Sequence, residues 1–262
     1  MRNSIKSHVL AAVSLVALSL GASQAFADGE KYVIGTDSTY PPFEYVDASG
    51  NFLGFDMDIG RAICEEMKAE CTFVSNDWDG IIPALQAKKF DMILSSMSIT
   101  AEREKLVDFT TPIYNTPPAI AVPKDSDIKD LDGLKGKTLG AQSSTTHSNY
   151  AEAHFKDSEL KLYPSADEYK LDLESGRIDG AIDDSVVLSD WVKSDAGSCC
   201  KILTMLPLDA EINGPGAGIA VRKGDPLKEK LNAAIAAIQA NGTYKKIADK
   251  YFDFDVSVKA KK

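Results

Sequence analysis

From Lys31 onward the chain switches between two hydrophobic periods. Tyr32-Val33-Ile34-Gly35, Cys71-Thr72-Phe73-Val74 and Phe90-Asp91-Met92-Ile93-Leu94 are short apolar runs that read as strands. Between them apolar residues recur at helical spacing. Ile59, Ile63 and Met67 share one face of a helix predicted over 56–67, and a second helix is predicted over 79–87 with Pro83 in its early part. The pattern starts again near residue 138. Strands are predicted at 138–140, 160–163 and 178–182, and helices at 146–155, 167–175 (ended by Gly176) and 185–193. A strand at 219–221, an Ala-rich amphipathic helix over 226–239 stopped near Gly242 and a last helix over 244–251 complete the run. Such alternation implies an α/β protein with parallel sheets and helices on both faces.

Two segments look like crossovers between halves. Thr116-Pro117-Pro118 leads into the apolar run 119–122, and Asn213-Gly214-Pro215-Gly216-Ala217-Gly218 leads into 219–221. The second is Gly-rich, but no helix start follows it, which argues against a phosphate loop. A short internal echo supports two similar halves: Leu85 precedes Phe90-Asp91-Met92-Ile93, and Leu173 precedes Ile178-Asp179-Gly180-Ala181. The organisation expected is a leader over 1–27, one lobe from 28–117 plus 217–262, and a second lobe over 118–216.

The first 27 residues are of another kind. Arg2 and Lys6 give a basic start, Val9 to Leu20 an apolar run, and Ala25-Phe26-Ala27 an A-x-A site. This reads as a secretory signal peptide cut before Asp28. The run falls short of the roughly 20 residues a spanning helix needs. The protein is therefore expected to be exported and soluble, and the resemblance described below implies the periplasm. The net charge of −10 argues against a nucleic-acid partner, whose backbone calls for clustered Lys and Arg. In an oxidising compartment Cys64, Cys71, Cys199 and Cys200 allow three disulfide connectivities. Cys64–Cys71 closes a short loop from a helix end to the next strand and is favoured. Cys199 and Cys200 are adjacent and either form a strained vicinal disulfide or stay reduced. Metal binding is the weaker alternative, because His147 and His154 lack ligand spacing with them.

In open α/β sheets ligands sit beyond the carboxyl ends of the strands. Those ends collect Asp37 and Tyr40, Asp77-Trp78, Ser95-Ser96-Met97-Ser98 followed by Arg103, Gln142 to Thr146, and Asp183-Asp184. The inventory suits an amino acid. An α-carboxylate calls for a guanidinium and N–H groups at a helix start, which Arg103 and the Thr145-Thr146 entry could supply. An α-ammonium calls for a carboxylate and oxygen acceptors, such as Asp184 with a Ser hydroxyl. Tyr40 and Trp78 offer flat faces to a cationic or planar side chain, and Asp37 a partner for its distal charge. Taken singly each has a plainer reading: a helix-capping Asp, an Arg103 paired with Glu102 or Glu104 at the surface, a Trp78 in the core.

Gly35-Thr36-Asp37-Ser38-Thr39-Tyr40-Pro41-Pro42-Phe43, Gly54-Phe55-Asp56-Met57-Asp58, Ser95-Ser96-Met97-Ser98-Ile99-Thr100-Ala101-Glu102-Arg103 and Asn241-Gly242-Thr243-Tyr244-Lys245-Lys246-Ile247 resemble motifs of periplasmic polar-amino-acid-binding proteins of ABC importers. The resemblance covers nearly all of the chain after the leader and is closest to the lysine/arginine/ornithine- and histidine-binding members. It implies a type II clamshell of two lobes, each a mostly parallel sheet flanked by helices, on a two-strand hinge. It implies Arg103 at the α-carboxylate with Ser98 and Thr146, Asp184 at the α-ammonium with Ser95 and Ser98, Tyr40 and Trp78 around the side chain, and Asp37 with Ser96 at its distal nitrogen. Cys64–Cys71 matches the disulfide expected in this branch. Trp78 stands where relatives often have Phe, and His147 where basic-residue binders often carry Gln.

The implied activity is capture of a free amino acid, most simply Arg, Lys, ornithine or His, by lobe closure, and delivery to an inner-membrane ABC permease. The receptor would be a monomer, with no cofactor, no metal and no catalytic residue. Two alternatives share the scaffold: an opine receptor, and a cyclohexadienyl dehydratase-like enzyme in which Asp37 or Glu44 would act as general acid.

Overall fold

A computed structural model describes residues 29–258. The expected leader over 1–27, and its cut before Asp28, lie outside the described residues. Two five-stranded sheets dominate. The first has the order Glu70–Ser75, Lys31–Thr36, Met92–Ile93, Ala220–Arg222, Val107–Phe109; the second has Glu159–Tyr163, Thr138–Gln142, Gly180–Asp184, Pro118–Pro123, Cys200–Met205. In each sheet the first three strands are parallel and the fourth runs against both its neighbours. The sheets are thus mostly parallel rather than wholly so. The reversed strand is in each case the one entered from a crossover between lobes. A chain arriving that way has no helix to carry it back over the sheet, so nothing forces a parallel pairing.

The expected elements appear with shifted ends, and two edge strands were not anticipated. Val107–Phe109 is too short to show a period, and Cys200–Met205 is only half-buried along most of its length. The strand expected at 178–182 runs instead over Gly180–Asp184, so Asp183 and Asp184 pair with Ala119 and Pro118 inside the ladder rather than following it. Regular pairing of the third strand is confined to Met92–Ile93. The same cause acts in both places. The Asp91 carboxylate accepts the Val33 N–H at 2.8 Å, and the Asp179 carboxylate accepts the Thr138 N–H at 2.8 Å. Each Asp replaces a ladder bond at the strand entrance, which gives the internal echo a physical basis.

A three-stranded antiparallel sheet of Thr39–Tyr40, Glu44–Val46 and Phe52–Leu53 projects from the first lobe and carries Tyr40 and Glu44 towards the second. Beneath it the helix Phe55–Glu66 buries Phe55, Met57, Ile59 and Ile63 and opens with Asp56 and Asp58 in its first turn, where carboxylates favour the helix dipole. The Phe55 ring meets Phe252 at 4.8 Å and Tyr114 at 5.2 Å, while Phe43 stacks on Tyr114 at 5.1 Å. This aromatic group ties the first sheet's helices to the crossover. Cys64 and Cys71 form a disulfide from the end of that helix to the strand Glu70–Ser75.

The crossovers pair with each other: Ile113 N–H donates to Ala217 O and Ala217 N–H to Tyr114 O, both at 2.8 Å. Gly216 there sits at φ 135°, and a Cβ would fall 2.3 Å from Tyr114 O, so only glycine lets the two strands approach. Because Phe55 is fully buried among rings, Phe55→Ala is expected to cost about 3–5 kcal/mol of unfolding free energy in denaturant titration. Leu171→Ala, at a position 57% exposed, should leave the curve within about 0.5 kcal/mol.

Candidate functional site

The carboxyl ends of the two sheets face each other across a cleft, and side chains from both lobes bond across it. The Tyr40 hydroxyl donates to the Asp183 carboxylate. Gln142 Nε2 donates to Asp37 Oδ2 at 3.0 Å, and the Ser143 hydroxyl to Asp79 at 2.9 Å. The Ser144 carbonyl accepts from Trp78 Nε1 at 3.2 Å and from Arg103 Nη2 at 3.1 Å. The lobes are therefore closed on one another. Between them lies a cavity lined by Asp37, Tyr40, Glu44, Trp78, Ser95, Ser96, Ser98, Arg103, Gln142, Thr145, Thr146 and His147. Of the nine residues singled out in the sequence, eight line this cavity. The ninth, Asp184, lines an adjoining one that shares Tyr40, Ser96, Ser98, Thr146 and His147.

Each wall follows from local structure. Arg103 sits on the short helix Ala101–Glu104, whose cap Thr100 accepts the Arg103 N–H at 3.3 Å. Its guanidinium spends two of five donors on the Ser98 and Ser144 carbonyls and rests over the Trp78 ring, Cζ 5.1 Å from the centroid. It makes no ion pair with any carboxylate among the described residues, which corrects the plainer reading that joined it to Glu102 or Glu104. Loss of water in the closed cleft pushes its pKa down to about 10, so it stays charged at neutral pH. On the facing wall the helix Thr146–His154 begins in a capping box. Thr145 Oγ1 accepts the Ser148 N–H at 3.0 Å while Ser148 Oγ accepts the Thr145 N–H at 3.2 Å. This box fixes Thr145, Thr146 and His147 at the cavity.

A second cluster is acidic. Glu44 is 1% exposed and accepts the Ser95 and Ser96 hydroxyls, each at 3.0 Å. Burial, then the nearby Asp56 and Asp37 charges, raise its pKa well above the usual carboxylate range. Asp56 lies behind it, fully buried, and accepts the Ser96 N–H at 2.8 Å through Oδ2. Among the described residues its Oδ1 has no hydrogen-bond partner, and burial lifts its pKa to about 7. Ser96 reaches this bond from φ 47°, a left-handed conformation rare outside glycine. Asp37, 7% exposed, is likewise raised by burial, against hydrogen bonds from Gln142 and Thr39.

The two aspartates of the second sheet differ. Asp184 caps the helix Ser185–Trp191 by accepting the Val186 N–H at 2.7 Å, and it accepts the Thr116 hydroxyl on the crossover. Burial raises it to about 6. Asp183 accepts the Tyr40 and Tyr169 hydroxyls and lies 3.0 Å from His147 Nδ1. Burial opposes its ionisation, but His147 and the two phenols outweigh that and hold its pKa below normal. His147 moves the other way: burial pulls it down, and the Asp183 charge and hydrogen bond more than restore it. Tyr40 thus does more than offer a ring face, since its hydroxyl reaches the opposite lobe. Sequence reasoning missed this network. It also missed the position of Glu44, weighed only as a proton donor. Gln142 was visible among the residues beyond the strand expected at 138–140, and the structure makes it the last residue of Thr138–Gln142.

The chain belongs to the bacterial extracellular solute-binding proteins, family 3, whose model matches residues 32–254. It is 45% identical over 252 residues to the L-arginine-binding protein of Pseudomonas aeruginosa, covering 94% of this chain and 97% of that one. It is 41% identical over 250 residues to the histidine-binding periplasmic protein of Salmonella typhimurium, covering 93% and 96%. Among solved structures, an ancestral arginine-binding protein bound to arginine superposes with a TM-score of 0.79 at 38% identity, covering 86% of this chain and 99% of that one. The fold is that of a type II periplasmic binding protein, two sheet-and-helix lobes around a cleft.

Asp56 generates a pH dependence. Its folded pKa of about 7 exceeds the ordinary 3.8, so between those values the folded state holds a proton that the unfolded chain gives up. Stability from this group is complete below about pH 4 and is lost as pH rises to about 7. Thermal melts of the protein alone should show Asp56→Asn flattening that decline by up to a few kcal/mol. An unchanged slope in this near-isosteric variant would count against the assignment.

Proposed function

We propose that this protein is the receptor of an ABC importer for an amino acid with a cationic side chain, and that it hands its ligand to an inner-membrane permease. The observation that carries the reading is the set of groups left without ionic partners, among the described residues, in one closed cavity: the Arg103 guanidinium without a carboxylate, and the Asp37 and Glu44 carboxyls, whose ionisation burial opposes, without a cation. An isolated buried charge costs several kcal/mol, and a ligand bearing the complementary charges removes that cost. Arg103, with Ser98 and Thr146, takes the α-carboxylate. Asp184 takes the α-ammonium, since each of its oxygens keeps a free lone-pair direction. Asp37, Glu44 and Ser96 take the distal cation, beside Trp78 and Tyr40. Two carboxylates match a planar guanidinium better than a point charge, which puts arginine ahead of lysine, ornithine and histidine. The names of the arginine- and histidine-binding relatives agree with this class and favour it over an opine receptor or a dehydratase.

The moving bodies are 28–117 with 217–262, and 118–216, joined at the paired crossovers. Groups from both contact one ligand, so the ligand binds the closed state more tightly than the open one and shifts the population towards it. The receptor acts as a monomer in the periplasm after removal of its leader behind Ala27, and no bond of the ligand is broken.

Melting-temperature shifts across the common amino acids, ornithine, citrulline and an opine should be largest for arginine. Citrulline, a neutral isostere, should trail it. Calorimetry of Arg103→Ala should show binding of every α-amino acid weakened by about 3–5 kcal/mol, more than a hundredfold. Glu44→Gln should keep binding but narrow the gap between arginine and citrulline. A largest shift with acidic or apolar amino acids would overturn the reading.

A further inference from the structure

Away from the cleft, the 3-10 turn Ala196–Cys199 runs straight into the edge strand Cys200–Met205. Adjacent residues of a strand point to opposite faces, but at this junction the Cys199 and Cys200 sulfurs converge to 2.7 Å. That lies between the about 2.05 Å of a covalent S–S bond and ordinary non-bonded contact. The backbone around them is held in place. Lys124 N–H donates to Cys199 O at 2.8 Å, and Cys200 pairs with Pro123 in the ladder. Gly197 packs so tightly that a Cβ would fall 2.0 Å from Trp191 O. Cys200 is 1% exposed, whereas Cys199 is only partly buried. With Cys64 and Cys71 already joined, the four cysteines sort into two pairs with no partner left over.

We infer that Cys199 and Cys200 form a second redox site, which closes by thiol–disulfide exchange into a vicinal disulfide and clamps the turn to the edge strand. The oxidant is a disulfide-bearing compound or oxidoreductase. The accessible Cys199 thiolate attacks one of its sulfurs, forming a mixed disulfide and expelling a thiolate. The Cys200 thiol then loses its proton and attacks Cys199 Sγ, forming the intramolecular bond and expelling the second thiolate. Both thiol hydrogens and the electron pair end on the reduced oxidant. Burial pushes the Cys200 thiol far up, so Cys199 reacts first. The strand clamped in this way is hydrogen-bonded to Pro118–Pro123, the strand that enters the second lobe from the crossover.

The full-length exported protein tests this directly. Samples equilibrated in glutathione redox buffers from reducing to oxidising are quenched in acid, denatured, treated with excess iodoacetamide, digested and weighed. At the oxidising end the peptide holding residues 199 and 200 should carry no alkyl group and be two hydrogens lighter than its reduced form. At the reducing end it should carry two alkyl groups. Cys199→Ser should leave one thiol, at Cys200, that labels fully or is capped by glutathione. Two alkyl groups on the wild-type peptide at the oxidising end, or a stable glutathione adduct there in place of the internal bond, would overturn the inference.

Discussion

The structure is organised around charges that its own side chains leave uncompensated. Arg103 enters the closed cleft with carbonyl oxygens and an indole ring around it but, among the described residues, no carboxylate partner. Asp37 and Glu44 line the same cavity with hydroxyl and amide donors but, among the described residues, no cation paired to them. A folding core would not be built this way, because neutral hydrogen bonds offset only part of the cost of stripping water from an ion. The arrangement persists because the rest of the fold, two well-packed lobes and a ring cluster at their junction, supplies the stability that the site gives up. The result is a cavity whose affinity is set by what it lacks.

Closure depends on the paired crossovers. They place a reversed strand in each sheet and bring the carboxyl ends of both sheets to one cleft. The bonds that span the cleft are few and mostly neutral at one end, such as Gln142 to Asp37 and Ser143 to Asp79. The Tyr40–Asp183 contact is of the same kind, with Asp183 held besides by Tyr169 and His147. There an ionised carboxylate of one lobe holds a phenol of the other. Charge-assisted bonds of this kind are stronger than neutral ones.

Much of the site was legible because strand-end positions are where an open α/β sheet binds, and strand ends can be found from hydrophobic period alone. Asp37, Ser95, Ser98, Arg103 and Thr146 were reached that way. Glu44 was not reached as a cavity residue, because it sits on a two-stranded turn-back whose direction no period encodes. Asp183 and Asp184 were placed just beyond the strand expected at 178–182, yet their alternation within Gly180–Asp184 sends them to different partners. The Asp91 and Asp179 echo was visible as a pattern, while its meaning, a carboxylate replacing a ladder bond, needed the neighbouring strand.

The amino-acid sequence by itself determined the elements, their α/β class, the two-lobed organisation, the glycines of the crossover and the residue types at the strand ends. These follow from local backbone preferences and from periodic burial, which act within a few turns or strands. Only the tertiary structure decided which charges lack partners, how Tyr40 reaches Asp183 across the cleft, why Asp56 holds its proton, and where two adjacent sulfurs converge. The first three depend on atoms tens of residues apart in the chain and on how much water the closed lobes leave around them, and the last on how the turn is seated against the neighbouring strand, quantities that no local pattern carries.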